Sequence, residues 1–123
     1  MKKDGLRISD TELEIMNLLW HSSEALSSSE VFGRLDTGWK YPTVTTLLGR
    51  LVEKGAVRYE KRGKAYYYAP AIDESAYKAQ ETGRFVEKLH GGSVRSMIAA
   101  LCDSRELTPE DVEKLRRMFD LDR

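Results

Sequence analysis

Cysteine occurs once, at Cys102, and histidine twice, at His21 and His90, in a chain of 123 residues. A lone cysteine excludes an internal disulfide and a cysteine metal cluster. Neither histidine has ligand partners at metal spacing, so all three are expected to be structural, with no metal and no cofactor. No apolar run approaches a membrane span, and the opening Met1-Lys2-Lys3-Asp4-Gly5 lacks the apolar core of a signal peptide. A cytoplasmic location without stable membrane association is the expectation. Enzyme chemistry is poorly served, because there is no glycine-rich phosphate loop and no nucleophile with a base beside it. Paired carboxylates such as Asp10 and Glu12 sit at a helix start, where capping accounts for them. Net charge is absent too, so the total says nothing of nucleic acid.

The charge that is present is unevenly placed. Residues 40–64 hold seven cations (Lys40, Arg50, Lys54, Arg58, Lys61, Arg62, Lys64) against Glu53 and Glu60, while residues 1–39 hold four against seven acids. Phosphate contacts act through local potential, so the basic block matters and the zero total does not. At 41% hydrophobic, the chain can bury one sizeable core and a small assembly unit besides.

Ser9 stands three residues before Glu12, the spacing of a capping box, and Leu13, Met16, Leu19 and Trp20 follow as an apolar stripe, predicting a helix that ends near His21. Ser27 and Glu30 repeat the spacing before Val31, Phe32 and Leu35, the expected buried side of a short second helix that Asp36, Thr37 and Gly38 end. Pro42 suits a first helical turn and Gly55 a C-terminal cap, so a third helix is predicted over about 42–54. Trp20 and Trp39 are expected in the core of these three. Val57–Lys61 and Ala65–Ala69 read as strands of a hairpin joined through Arg62-Gly63-Lys64, with Leu26 adding a short third strand.

On a period of 3.6, Val44, Leu47, Leu48 and Leu51 share one face of the third helix, leaving Thr43, Thr46, Gly49 and Arg50 on the other side with Thr45 at its margin. A face meant only for solvent would usually carry long helix-forming side chains, whereas short hydroxyls and a glycine permit close approach. Beside a basic hairpin, that pattern points to duplex DNA, with the helix in a groove and the hairpin as a wing. The candidate DNA-binding residues are Tyr41, Pro42, Thr43, Thr45, Thr46, Arg50, Arg58, Lys61, Arg62 and Lys64. Plainer readings stand beside this one: a solvated or intramolecularly paired Arg50, wing cations that guard an edge strand, and core packing for some of Tyr66, Tyr67 and Tyr68. The rival function is a winged helix used as a protein-interaction module without sequence-specific DNA binding.

After Pro70 three more helices are predicted: Asp73 to His90, broken by Gly91-Gly92; one capped by Ser93; and one started by Thr108-Pro109-Glu110-Asp111. Their apolar members include Tyr77, Phe85, Val86 and Leu89, then Val94, Met97, Ile98 and Leu101, then Val112, Leu115, Met118 and Phe119. Three such helices make a poor independent core, and a second copy would complete it, so these residues, Val86 apart, are the expected homodimer interface. The expected fold is mostly α with a small antiparallel β wing: a winged helix-turn-helix domain over 1–70 and a helical dimerisation domain over 71–123.

The pattern from Ser9 to Trp20, Tyr41-x-Thr43-Val44-x-Thr46-Leu47-Leu48-x-Arg50-Leu51-x-x-Lys54-Gly55, the tyrosine-rich wing, and Phe85 to Leu89 with Gly91-Gly92-Ser93 resemble the penicillinase repressors of the BlaI and MecI type, within the wider BlaI/MecI/CopY family. The resemblance covers nearly the whole chain. It implies a homodimeric bacterial transcriptional repressor on a dyad-symmetric operator of the TACA/TGTA sort, with a membrane sensor-protease acting upstream. Where those repressors are cut at an Asn-Phe bond, the matching positions here are Ala100 and Leu101. The Cys-x-Cys motifs of the copper-responsive branch have no counterpart beside Cys102, and Pro42 stands where some members carry lysine.

Overall fold

The computed structural model describes residues 6–118; Phe119 lies outside them. The chain divides into two compact units between Lys78 and Ala79. In the first, α1 (Asp10–Trp20) begins where the Ser9 hydroxyl accepts from the Glu12 backbone N–H at 3.2 Å while Glu12 Oε1 accepts from the Ser9 N–H at 2.9 Å. The same reciprocal cap, Ser27 with Glu30, starts α2 (Ser28–Arg34). The third helix, α3 (Tyr41–Lys54), carries Pro42 in its first turn and ends on Gly55, whose φ of 82° places it in the left-handed region that glycine enters at little cost.

These helices close on one core, in which Ile15, Met16, Val31, Val44, Leu48 and Leu51 are fully enclosed. Truncating one of the larger members to alanine would cost about 2–5 kcal/mol. Phe32 is not part of it. With Val31 facing inward, the next residue lies about 100° further round the helix, and Phe32 is 39% exposed, its ring edge-on to that of Tyr41 at 5.6 Å. Trp20 and Trp39 lie at the core's margin, half-buried against it. The polar edge of the Trp20 indole explains its place: Nε1 donates to the Ile72 carbonyl at 3.0 Å.

The sheet is antiparallel in the order β1-β3-β2, with β1 Leu26–Ser27, β2 Val57–Arg62 and β3 Ala65–Pro70. Arg62 pairs with Ala65, so the hairpin turns on Gly63-Lys64 alone, and Gly63 takes the positive φ of 63° that a two-residue turn needs at its first central position. Leu26 pairs with Tyr68, fulfilling the expected third strand.

A fourth helix, α4 (Glu74–His90), begins in the first unit. Tyr77, expected among the dimer-forming residues, is 7% exposed within that unit's core, where its hydroxyl accepts from the Ile8 N–H at 3.2 Å and its ring lies 6.0 Å from that of Trp20. So enclosed, it has no surface to offer a second chain. In the second unit, α5 (Val94–Asp103) is capped by Ser93, and α6 (Pro109–Met118) starts with Thr108 and Asp111 exchanging backbone-to-side-chain hydrogen bonds at 3.1 Å. Neither helix buries a described residue. Phe85, Leu89, Val94, Ile98, Val112, Leu115 and Met118 are all exposed. No helix among the described residues is long and apolar enough to cross a membrane.

One buried charge joins the first and third helices. Glu12 is 2% exposed, and its Oε1 also receives the Lys54 ammonium at 2.6 Å, while the same ammonium donates to the Arg7 carbonyl at 2.8 Å. Burial pushes the Glu12 carboxyl up, but hydrogen bonds from Lys54 and Ser9, together with the Lys54 charge, outweigh it and hold the group below its ordinary 4.5. A carboxyl so depressed contributes stability that is present above its unfolded pKa and lost as pH falls through the folded one. Removing one partner of a buried pair costs about 3–5 kcal/mol; since Lys54 keeps a third of its side chain in water, about 2 kcal/mol is expected for Glu12→Gln at neutral pH. In urea denaturation at fixed protein concentration, that difference should shrink as pH falls below 4.5. A difference constant down to about pH 3 would show that the Glu12 charge stabilises nothing.

Candidate nucleic-acid interface

The α3 helix keeps two faces apart, as its periodicity requires. Val44, Leu47, Leu48 and Leu51 are buried, whereas Thr43, Thr46, Gly49 and Arg50 are exposed. Pro42, Thr43, Thr46 and Arg50, with the edge of Leu47, outline a shallow depression on the outer side. Thr45 is exposed too, but its hydroxyl donates to the Pro42 carbonyl at 3.0 Å, so it also serves the first turn. Tyr41 has a tie of its own: its hydroxyl meets Ser28 Oγ at 2.7 Å and its ring meets Phe32, joining α2 to the start of α3. The structure thus brings Pro42, Thr43, Thr46 and Arg50 onto one surface and sets Tyr41 and Thr45 partly to structural work.

The wing's cations do not act as one cluster, because strand alternation sends them to opposite faces. Arg58, Glu60, Arg62 and Tyr67 line a cleft against the Ser22–Ala25 loop. There Arg58 donates to the Pro70 carbonyl at 3.2 Å. Arg62 pairs with Glu60 at 3.2 Å and lies 4.7 Å over the Tyr67 ring; the Glu60 hydrogen bond and charge raise its already high pKa. On the other face stand Tyr59, Lys61, Tyr66 and Tyr68, with Lys61 Nζ 5.9 Å from the Tyr66 ring centre. Tyr68 packs against the core, and burial first, then the neighbouring phenols, pushes its own phenol up. Lys64 projects from the turn. Lys54 is withdrawn from the basic block by Glu12. Lys40, Arg50, Lys61 and Lys64 are exposed cations with no ion pair among the described residues.

One of these facts was beyond the reach of sequence and one was not. The Glu12–Lys54 pair spans 42 positions, and nothing local in either residue announces it. The split of the wing's cations was within reach, since a period of two separates Lys61 from Arg58 and Arg62 once the register is known.

Three helices followed by a hairpin, with β1 completing the sheet, define a winged helix-turn-helix protein. Residues 8–120 match the sequence model of the penicillinase repressor family, and the chain belongs to that family. It is similar to the penicillinase repressor of Bacillus licheniformis, with 33% identity over 117 residues covering 93% of this chain and 90% of the relative. It is also similar to the methicillin resistance regulatory protein MecI of Staphylococcus aureus, with 26% identity over 120 residues covering 97% and 98%. Among solved structures it resembles the DNA binding domain of the repressor BlaI in solution, with TM-score 0.55 and 42% identity over 63% of this chain and 94% of that one. It likewise resembles the Bacillus licheniformis BlaI monomeric form in complex with the blaP half-operator, with TM-score 0.50 and 41% identity over 58% and 88%.

Proposed function

We propose that the chain is a dimeric transcriptional repressor that reads a dyad-symmetric DNA operator with α3 and grips its backbone with the wing. The observation that carries this reading is the exposed face of Thr43, Thr46 and Arg50, free of packing duty, in a unit that also exposes the unpaired charges of Lys40, Lys61 and Lys64. Short hydroxyls suit base edges in a major groove, and lysines suit phosphates. The similar BlaI structure in complex with a half-operator supports the same reading. A protein-interaction module would share the fold but not the salt dependence, since each phosphate contact releases counterions.

The second unit supplies the other half of the proposal. Phe85, Leu89, Val94, Met97, Ile98, Leu101, Val112, Leu115 and Met118 recur at helical spacing, and a single chain leaves most of them in water. A second copy related by a two-fold axis covers them and sets two recognition helices on two half-sites, so that each bound half raises the effective concentration of the other. The resemblance to the penicillinase repressors adds a membrane sensor-protease upstream. Its cut would have to fall in α5, where Ala100–Leu101 replaces the Asn-Phe bond and lies within regular helix, closed to a protease until that helix unwinds.

Three outcomes test this. An operator selected from random duplexes should lose footprinting with Thr43→Glu and with Thr46→Glu while helix content and sedimentation stay unchanged, and Thr43→Ala should cost about 1–3 kcal/mol of discrimination. Unchanged footprints would overturn the choice of face. In salt titrations Lys64→Ala should flatten the slope by roughly 0.9 on operator and unrelated duplex alike, whereas Arg58→Ala should leave the slope unaltered. Equal effects of the two would mean that the division of the wing into faces does not govern binding. Finally, Ile98→Asp should sediment as a monomer and lose about 100-fold or more in operator affinity. A chain ended after Lys78, which keeps Tyr77 in its core, should stay folded and monomeric; a dimer from that fragment would place the assembly contacts elsewhere.

A further inference from the structure

The α3 helix starts differently from every other helix among the described residues. Ser9, Ser27, Asp73, Ser93 and Thr108 each turn a side-chain oxygen onto the first turn of the helix that follows. Before α3 stands Lys40, whose ammonium can accept no N–H, and no side chain caps the helix. Its first turn also lies outside the core: Tyr41, Pro42 and Thr43 are all exposed, and Val44 is the first buried residue. Trp39, half-buried against the core, holds the chain only up to the point where the helix begins.

Within that turn it is Tyr41 that reaches another element. Its hydroxyl lies 2.7 Å from Oγ of Ser28, the first residue of α2, and its ring stands edge-on to that of Phe32, with 5.6 Å between centres. Ser28 and Phe32 are four residues apart, so they project from one side of α2 and meet the tyrosine at hydroxyl and ring together. The Ser27 capping box fixes the start of α2 directly beside Ser28. Phe32 and Tyr41 remain 39% and 41% exposed, so the contact adds little burial. What it adds is direction, since a hydroxyl pair and an edge-on ring pair both hold only over a narrow range of geometry.

We propose that Tyr41 is a positioning residue for DNA recognition: latched to Ser28 and Phe32, it sets the attitude of the uncapped first turn, and so the aim of Pro42 and Thr43, without itself touching the duplex. This rests on the DNA-binding reading above and concerns a residue to which that reading gives no role. At its other end α3 is fixed by the bond of Lys54 to Glu12. The latch governs the end that this buried charge does not reach.

Full-length Tyr41→Phe, Ser28→Ala and the two combined test it, titrated with the selected operator and with an unrelated duplex well below the thermal midpoint. A single neutral hydrogen bond contributes modestly, so each single change should lower the operator's advantage over unrelated duplex roughly three- to tenfold, with affinity for unrelated duplex as in the parent. The double variant should lose no more than either single one, because both remove the same contact. Ser28→Thr, which keeps a hydroxyl, should retain the parent's discrimination. Additive losses, or a Tyr41→Phe loss shared equally by both duplexes, would mean that Tyr41 meets DNA on its own account, and the inference is overturned. Unchanged discrimination in both single variants overturns it as well, even with a lower thermal midpoint, since the latch would then serve stability alone. If the parent protein itself shows no salt-dependent binding to duplex, the DNA-binding reading fails and takes this inference with it.

Discussion

The Glu12 carboxylate is the point at which the first unit is pinned. One oxygen accepts both the N-terminal N–H that starts α1 and the ammonium that ends α3. Because the two helices meet at a buried charge, their relative placement is directional in a way that apolar contacts alone are not, and the outer face of α3 inherits that direction. The wing inherits it too, since Gly55 follows Lys54 directly and Ala56 donates back to the Leu51 carbonyl at 2.9 Å before β2 begins. Whatever the reading face touches is therefore aimed by a residue on the far side of the core.

The helix starts were legible because capping is local: Ser9 with Glu12, Ser27 with Glu30, and Ser93 each identify themselves within three positions. The buried face of α3 was legible because its period is regular. Phe32 was misjudged for the opposite reason. In a seven-residue helix the apolar pattern is too short to fix a face, and an aromatic neighbour from α3 offered a surface site. Tyr77 was misjudged because helical spacing shows that a residue is apolar-facing but not which body it faces. Ile8 and Trp20, far away in sequence, decide that.

The two units differ in how complete they are. The first encloses its core within a single chain, down to the paired Glu12. The second has sound local signals, with caps at Ser93 and Thr108, but almost no interior of its own among the described residues. Such a segment is specified at the level of secondary structure and left open at the level of packing, the state from which association gains most.

The face proposed to read the operator bears on how such a protein changes over time. Thr43, Thr46 and Arg50 take no part in the core, the caps or the sheet pairing, so exchanging them leaves folding almost untouched, as surface changes generally do. On the proposed reading, destination and scaffold are written in separate residues. A duplicated gene can drift to a new site in the genome one residue at a time, with every intermediate still a folded protein.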